Sequence, residues 1–399
     1  MKILKLILPV IVTMSLSSAA TAEQIDVWLG TTTPRGGLSK GIYHARLNTD
    51  NGKITRANLV AEITSPGFIC MDPSSRFLYS TGNQNGKPSV SAYAIEGTGN
   101  EKSLRLLNSV EIGDGGSAHV SVDRSGKALL SAQYGGGSTA IFQLADDGSI
   151  VKRTGLHKHS GGSGHVKGRQ DKPHAHWTGT SPDNKFVFVP DLGMDKVVIW
   201  KLDPKNATLS EHGFGICPAG GGPRHMKFSV DGKYVYVLNE LALSVTVFQY
   251  NAADASMTAI QTVPTLSEEV KAKENFNSAS EIRVHPSGKF VYSANRGNDT
   301  ITAFKVEPSS GKLSVIEVEP IRGGWPRSFA IDPSGKWLLA AGRDSNTVAV
   351  FQINPENGQL MYTRNVSMVP SPICVLMQRF SMGESVFVGQ HDLATLPFA

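Results

Sequence analysis

One phrase recurs along the chain: an apolar strand, a polar turn carrying Asp, Pro, Ser or Gly, a basic residue, then a second apolar strand. Its copies are Asp72-Pro-Ser-Ser-Arg76, Asp123-Arg-Ser-Gly-Lys127, Ser181-Pro-Asp-Asn-Lys185, Ser229-Val-Asp-Gly-Lys233, His285-Pro-Ser-Gly-Lys289 and Asp332-Pro-Ser-Gly-Lys336. The basic residues fall at intervals of 51, 58, 48, 56 and 47 residues. Each turn leads into an alternating strand such as Phe186-Val-Phe-Val or Tyr234-Val-Tyr-Val, and a third strand follows, as in Thr300-Ile-Thr-Ala-Phe-Lys-Val306. Period-two patterning between regularly spaced turn residues is the signature of strands. Four antiparallel strands in about 50 residues make a propeller blade. The stretch 25–62 holds three further strands but lacks an innermost one, while Pro372-Ile-Cys-Val-Leu-Met377 reads as an innermost strand alone. Together they predict an all-β, seven-bladed β-propeller with four antiparallel strands per blade. Its ring closes between the N- and C-terminal strands, which removes the free sheet edges of an open array.

The first residues stand outside that pattern. Lys2 and Lys5 precede an apolar run from Leu6 to Leu16, and Ala20-Thr21-Ala22 offers small residues for a signal peptidase. Residues 1–22 therefore read as a cleaved secretory signal and 23–399 as the propeller domain, placing the mature protein in the periplasm or outside the cell. No later window is apolar enough to span a bilayer, so stable membrane insertion after cleavage is not expected. A formal charge of +5, dispersed and without basic runs interleaved with aromatics, argues against nucleic acid as a partner. Cys70, Cys217 and Cys374 make at most one bridge and suit burial as small apolar residues.

In a propeller, equivalent positions of the innermost strands converge on one central mouth. Five residues before each turn lies one ring: Gly67, Ala118, His176, Arg224, Ser280 and Arg327. Seven residues after each basic residue lies a second: Asn83, Tyr134, Leu192, Glu240, Arg296 and Arg343. Charge at core strand ends calls for an explanation, because charged groups avoid burial unless paired or functional. A structural ring of ion pairs is one reading, but buried pairs stabilise weakly. An Arg cluster with one His and one Glu suits an anionic, oxygen-rich small molecule, with His as acid or base near neutral pH. A separate stretch, Leu156 to Trp177, carries His157, His159, His165, His174 and His176 among glycines and lysines. It reads as a solvated loop over the entrance, with metal binding the alternative. His174 shares a strand face with His176.

The run Gly222-Pro-Arg-His-Met-Lys-Phe with Val237-Leu-Asn-Glu240 strongly resembles the seven-bladed lactonase family, as do Pro173-His-Ala-His176, Ser293-Ala-Asn-Arg-Gly297 and Trp325-Pro-Arg-Ser-Phe329. That family contains propeller-type 6-phosphogluconolactonases and the fungal 3-carboxy-cis,cis-muconate lactonising enzymes. The resemblance implies a reaction that opens or closes a lactone without metal or cofactor. It also implies a site of His176, Arg224, Glu240 and Arg296, the residues that the register had already singled out. On this reading His176 activates water or transfers a proton and Glu240 orients or assists it. Arg224 and Arg296 hold the anionic group and the carbonyl oxygen. Arg327, His174, His225, Asn239 and Asn295 join them as candidate substrate contacts.

The expected substrate is an anionic lactone or sugar acid. An export signal is unnecessary for cytoplasmic sugar-phosphate metabolism, which argues against 6-phosphogluconolactone itself. Two other readings stay open on sequence alone: a lactonising cyclase acting on an unsaturated dicarboxylate, and a propeller that binds a partner without turnover.

Overall fold

The computed structural model describes residues 23–274 and 276–378; the proposed signal, residues 1–22, lies outside them. Seven sheets of four strands each surround a central axis. All pairings are antiparallel, and the described residues hold one short α-helix, Glu268–Lys271, and one 3-10 turn, Gly99–Glu101. The six repeats predicted from the turn phrase are six of the blades. The seventh joins the termini: Pro372–Gln378 pairs with Gln24–Thr31, with Trp28 opposite Leu376 and Leu29 opposite Val375.

The recurring phrase has a local physical cause. Its first residue turns its side chain back onto the backbone that follows. Asp72 Oδ1 accepts from the Phe77 amide at 2.7 Å, Asp123 Oδ1 from the Ala128 amide at 2.7 Å and Asp332 Oδ1 from the Trp337 amide at 2.6 Å. Ser181 and Ser229 use Oγ for the same bond, at 3.0 and 2.9 Å. The residue before the basic one is left-handed in every copy: Gly126, Gly232, Gly288 and Gly335 have φ between 69° and 77°. Ser75 at 61° and Asn184 at 60° stand where glycine is missing. Polar identity and turn geometry are conserved together because the turn needs both an acceptor and a left-handed residue.

Blades adhere through interlocking apolar faces. Phe186, Phe188 and Val197 of one blade pack with Met226, Val235, Val237 and Phe248 of the next. Each such side chain contributes roughly 1.5–3 kcal/mol by leaving water. The cysteines are free and buried, with Cys374 Sγ directed at the Ile69 carbonyl. No helix among the described residues is long and apolar enough to cross a membrane.

One irregularity positions the site. In the blade of Pro223–Phe228 and Tyr234–Asn239, Pro223 pairs with Asn239 and His225 with Leu238, leaving Arg224 as an extra, unpaired residue. Ala118 and Arg327 are bulged in the same way, and Ser280 and Glu281 share a wider irregularity. A β-bulge twists the strand and re-aims the side chain it carries. The first ring, counted off in sequence, is in four blades a ring of bulges.

Candidate active site

Glu240 is the hub of the mouth. Its backbone continues the second strand of its blade, with the amide bonded to the Gly222 carbonyl at 2.7 Å. Its Oε2 lies 2.9 Å from Arg224 Nε and 3.1 Å from Arg296 Nη2, and its Oε1 accepts from Arg169 Nη2 at 2.7 Å. Glu240 and Arg296 are about 95% buried and Arg224 is fully buried. Burial raises the Glu240 pKa, but Arg296, Arg224 and Arg169 outweigh it and hold the carboxyl at about 2. Glu240 is therefore a fixed carboxylate. Three guanidinium groups stabilise that charge, and the carboxylate in turn orients them.

His176 stands beside this cluster. Its ring meets that of Tyr134 edge-on at 5.5 Å and that of His225 at 5.2 Å. Burial first, then Arg224, His225, Arg327 and Arg296, push its pKa well below 6.5, so it is neutral at neutral pH. Its Nδ1 is buried without a protein partner among the described residues, as are Nη2 of Arg224 and Nε of Arg296 and Arg327. Buried polar groups are normally satisfied, so this convergence marks a place for a polar ligand. Burial, and then Arg296, lower the Arg327 guanidinium to about 10, which leaves it cationic.

Behind Arg224 runs a chain that the rings did not reveal. Arg224 Nη1 donates to His225 Nε2 at 3.2 Å, and His225 Nδ1 donates to Glu281 Oε1 at 3.0 Å. Glu281 also accepts from the Ile282 amide at 3.0 Å and from Arg283 Nη2 at 3.3 Å. His225 is thus a positioning group with both nitrogens occupied, not a substrate contact. Glu281 was missed because it sits one residue past the ring position, and only the irregular strand turns it inward.

Asn239 and Asn295 are tied down through their amide nitrogens, while Oδ1 of each is buried without a protein partner among the described residues. Each is fully buried in its own blade, where its amide nitrogen donates to hydroxyls of the next strand. Asn239 reaches Ser244 and Thr246 at 3.0 and 2.9 Å; Asn295 reaches Thr300 and Thr302 at 3.1 and 3.0 Å. Alternation along the strand sends these side chains away from the residue that follows each of them. His174 stays at the mouth, stacked on Tyr134 at 4.5 Å with Nδ1 donating to the Tyr134 carbonyl at 2.7 Å. Arg343 lies over Trp325 at 4.9 Å and pairs with Asp344, while Arg296 lies over the same ring at 5.8 Å.

The histidine-rich stretch leaves the strand Ile150–Lys158 as a largely exposed loop that is anchored at several points. His159 bonds Asp191 Oδ2 at 2.7 Å and Thr139 at 3.0 Å, His157 packs on Trp200 at 4.8 Å, and fully buried Gln170 donates to Leu192 O and Asp195 Oδ1. His157 and His159 both meet Trp200, and His174 and His176 both meet Tyr134. Among the described residues no three His, Cys, Asp or Glu side chains are grouped to hold a metal ion.

Residues 26–377 match the sequence profile described as "Lactonase, 7-bladed beta-propeller". The chain belongs to the seven-bladed lactonase family. A 6-phosphogluconolactonase of Bacillus subtilis is 34% identical over 348 residues, covering 87% of this chain and 97% of that protein. One of Formosa agariphila is 33% identical, covering 73% of this chain and 82% of its own. Among solved structures, the Pseudomonas aeruginosa periplasmic gluconolactonase PpgL superposes with a TM-score of 0.81 at 27% identity, covering 89% of this chain and 99% of that one. Membership makes the protein a lactonase, a carboxylic ester hydrolase, and removes the reading of a propeller without turnover. A small-molecule lactone is the substrate class of this lactonase family.

Proposed function

We propose that this chain is an exported, metal-independent lactonase that hydrolyses an anionic sugar-acid lactone at the Glu240 mouth. The observation that carries the proposal is the charge balance: Arg169, Arg224, Arg296 and Arg327 gather around one carboxylate, next to a neutral histidine with an unpartnered nitrogen. Neutral His176 takes a proton from a water that attacks the lactone carbonyl carbon. The carbonyl oxygen becomes an oxyanion, which Arg224 and Arg296 stabilise because their geometry is already set by Glu240. The tetrahedral centre collapses with cleavage of the ring C–O bond, and protonated His176 returns its proton to the leaving alkoxide. The product is the open hydroxy acid, and His176 is neutral again. Burial of the arginines strengthens each of these interactions relative to water.

The signal-like residues 1–22 and the likeness to a periplasmic gluconolactonase support export. The test is hydrolysis of a panel of sugar lactones by the purified mature protein and by His176→Ala. The variant is expected to lose at least 100-fold in kcat/KM, the scale of a general base. Equal rates for both proteins on every lactone would remove His176 from the mechanism.

A further inference from the structure

The mouth contains one arginine that no repeat position supplies. Arg169 comes from the arm that lengthens the interval between Lys127 and Lys185 to 58 residues. Its backbone amide bonds the Val166 carbonyl at 3.0 Å, and its neighbour Gln170 is buried and tied to Leu192 and Asp195. The arginine is therefore held by a pinned turn rather than by a wandering loop. Arg224 and Arg296 both meet Oε2 of Glu240; Arg169 takes Oε1 and also donates to the Tyr134 hydroxyl at 3.3 Å.

Exposure separates the three. The Arg224 side chain is 0% exposed and that of Arg296 6%, whereas that of Arg169 is 34% exposed. Both hydrogen bonds of Arg169 use Nη2, so the two N–H groups of its Nη1 are not spent on protein groups among the described residues. That partly exposed amino end offers charge-assisted N–H donors to a phosphate or carboxylate oxygen. Arg327 and Arg169 also leave the mouth with more positive charge than Glu240 offsets.

We infer that Arg169 reads the anionic substituent of the lactone and sets the preference for charged over neutral lactones. This rests on lactone hydrolysis at the Glu240 mouth as proposed above. Arg224 and Arg296 serve the reacting carbonyl common to all lactones; Arg169 serves the substituent that differs between them. Phosphate and carboxylate share the recognising chemistry, so the assay separates them.

The experiment measures kcat/KM of the mature protein, Arg169→Met and Arg169→Lys on 6-phosphogluconolactone, a glucarolactone and neutral gluconolactone. Wild type is expected to prefer one of the two anionic lactones. Arg169→Met should lower kcat/KM on that lactone by about 10–100-fold, mainly through KM, the loss of one charge-assisted contact. Neutral gluconolactone should lose at least about fivefold less than that lactone does, and Arg169→Lys should recover part of the loss by restoring the charge. Equal losses on all three lactones would show that Arg169 only holds Glu240 in place and would overturn the inference. So would an unchanged preference in Arg169→Met, or a wild type without preference. If wild type hydrolyses none of them, the proposed function fails, and titration calorimetry still decides the inference. Arg169→Met must then weaken binding of 6-phosphogluconate and leave gluconate unaffected; equal effects on both acids would overturn it.

Discussion

Replacing Glu240 by Gln removes the negative charge that Arg224, Arg296 and Arg169 share while keeping its shape. In the folded protein the carboxyl stands at about 2 against an ordinary 4.5, with burial raising it and the arginines lowering it further. That depression corresponds to ~3 kcal/mol favouring the ionised, folded state. The sign follows from the folded value being the lower one. This stability is fully present above pH 4.5 and drains away as pH falls towards about 2. A separate line of reasoning gives a similar size, since removing one partner of a buried ion pair costs about 3–5 kcal/mol. Glu240→Gln is therefore expected to unfold in urea ~3 kcal/mol more easily than wild type at pH 7. The gap should narrow steadily between about pH 5 and pH 2, where wild type becomes the protonated analogue of its own variant. All other titrating groups are shared by the two proteins and drop out of the difference. A gap below about 0.5 kcal/mol at pH 7, the range of an ordinary surface substitution, would refute the reasoning. A gap of equal size at pH 7 and pH 3 would refute it too.

The remaining expectations concern the base, the chain behind Arg224, the ring closure and metals. Because His176 titrates well below 6.5, the acid limb of kcat/KM should lie below pH 6.5 and disappear in His176→Gln; a limb above that pH tied to His176 would contradict its buried neutrality. Glu281→Gln should weaken the hold on His225 and cost about 1–3 kcal/mol in urea unfolding, the range for a buried charged hydrogen bond. Val375→Asp places a carboxylate in the buried seam with Leu29 and should destabilise by at least about 3 kcal/mol, whereas a tolerated substitution would deny that the termini close the ring. Activity is expected to survive exhaustive treatment with EDTA; loss in the chelator with recovery on adding a divalent ion would refute metal independence.

Much of the mouth was legible because a repeat carries its own register. His176, Arg224, Glu240, Arg296 and Arg327 could be placed at strand ends by counting from a turn. What the count assumed was regular alternation, and there it fell short. Alternation puts Arg224 and His225 on opposite faces, yet the two side chains hydrogen-bond to each other at 3.2 Å where the strand bulges at Arg224. Glu281 was invisible for the same reason. Arg169 belongs to no repeat, so no register reaches it; the only signal was the long interval that contains it.

Local chemistry therefore determined the strands, the turns, the number of blades and the closure of the ring. Each of these depends on patterns a few residues long: an acceptor that caps a turn, a left-handed residue before the basic one, and alternation that buries one face. Tertiary structure decided the work each polar group does. Whether Glu240 carries a proton or a fixed charge depends on three guanidinium groups that come from separate parts of the chain. Whether His225 touches substrate or steadies Arg224 depends on a bulge and on a carboxylate from the next blade. Electrostatic roles are set by distance and burial, and neither exists until the blades are assembled around their axis.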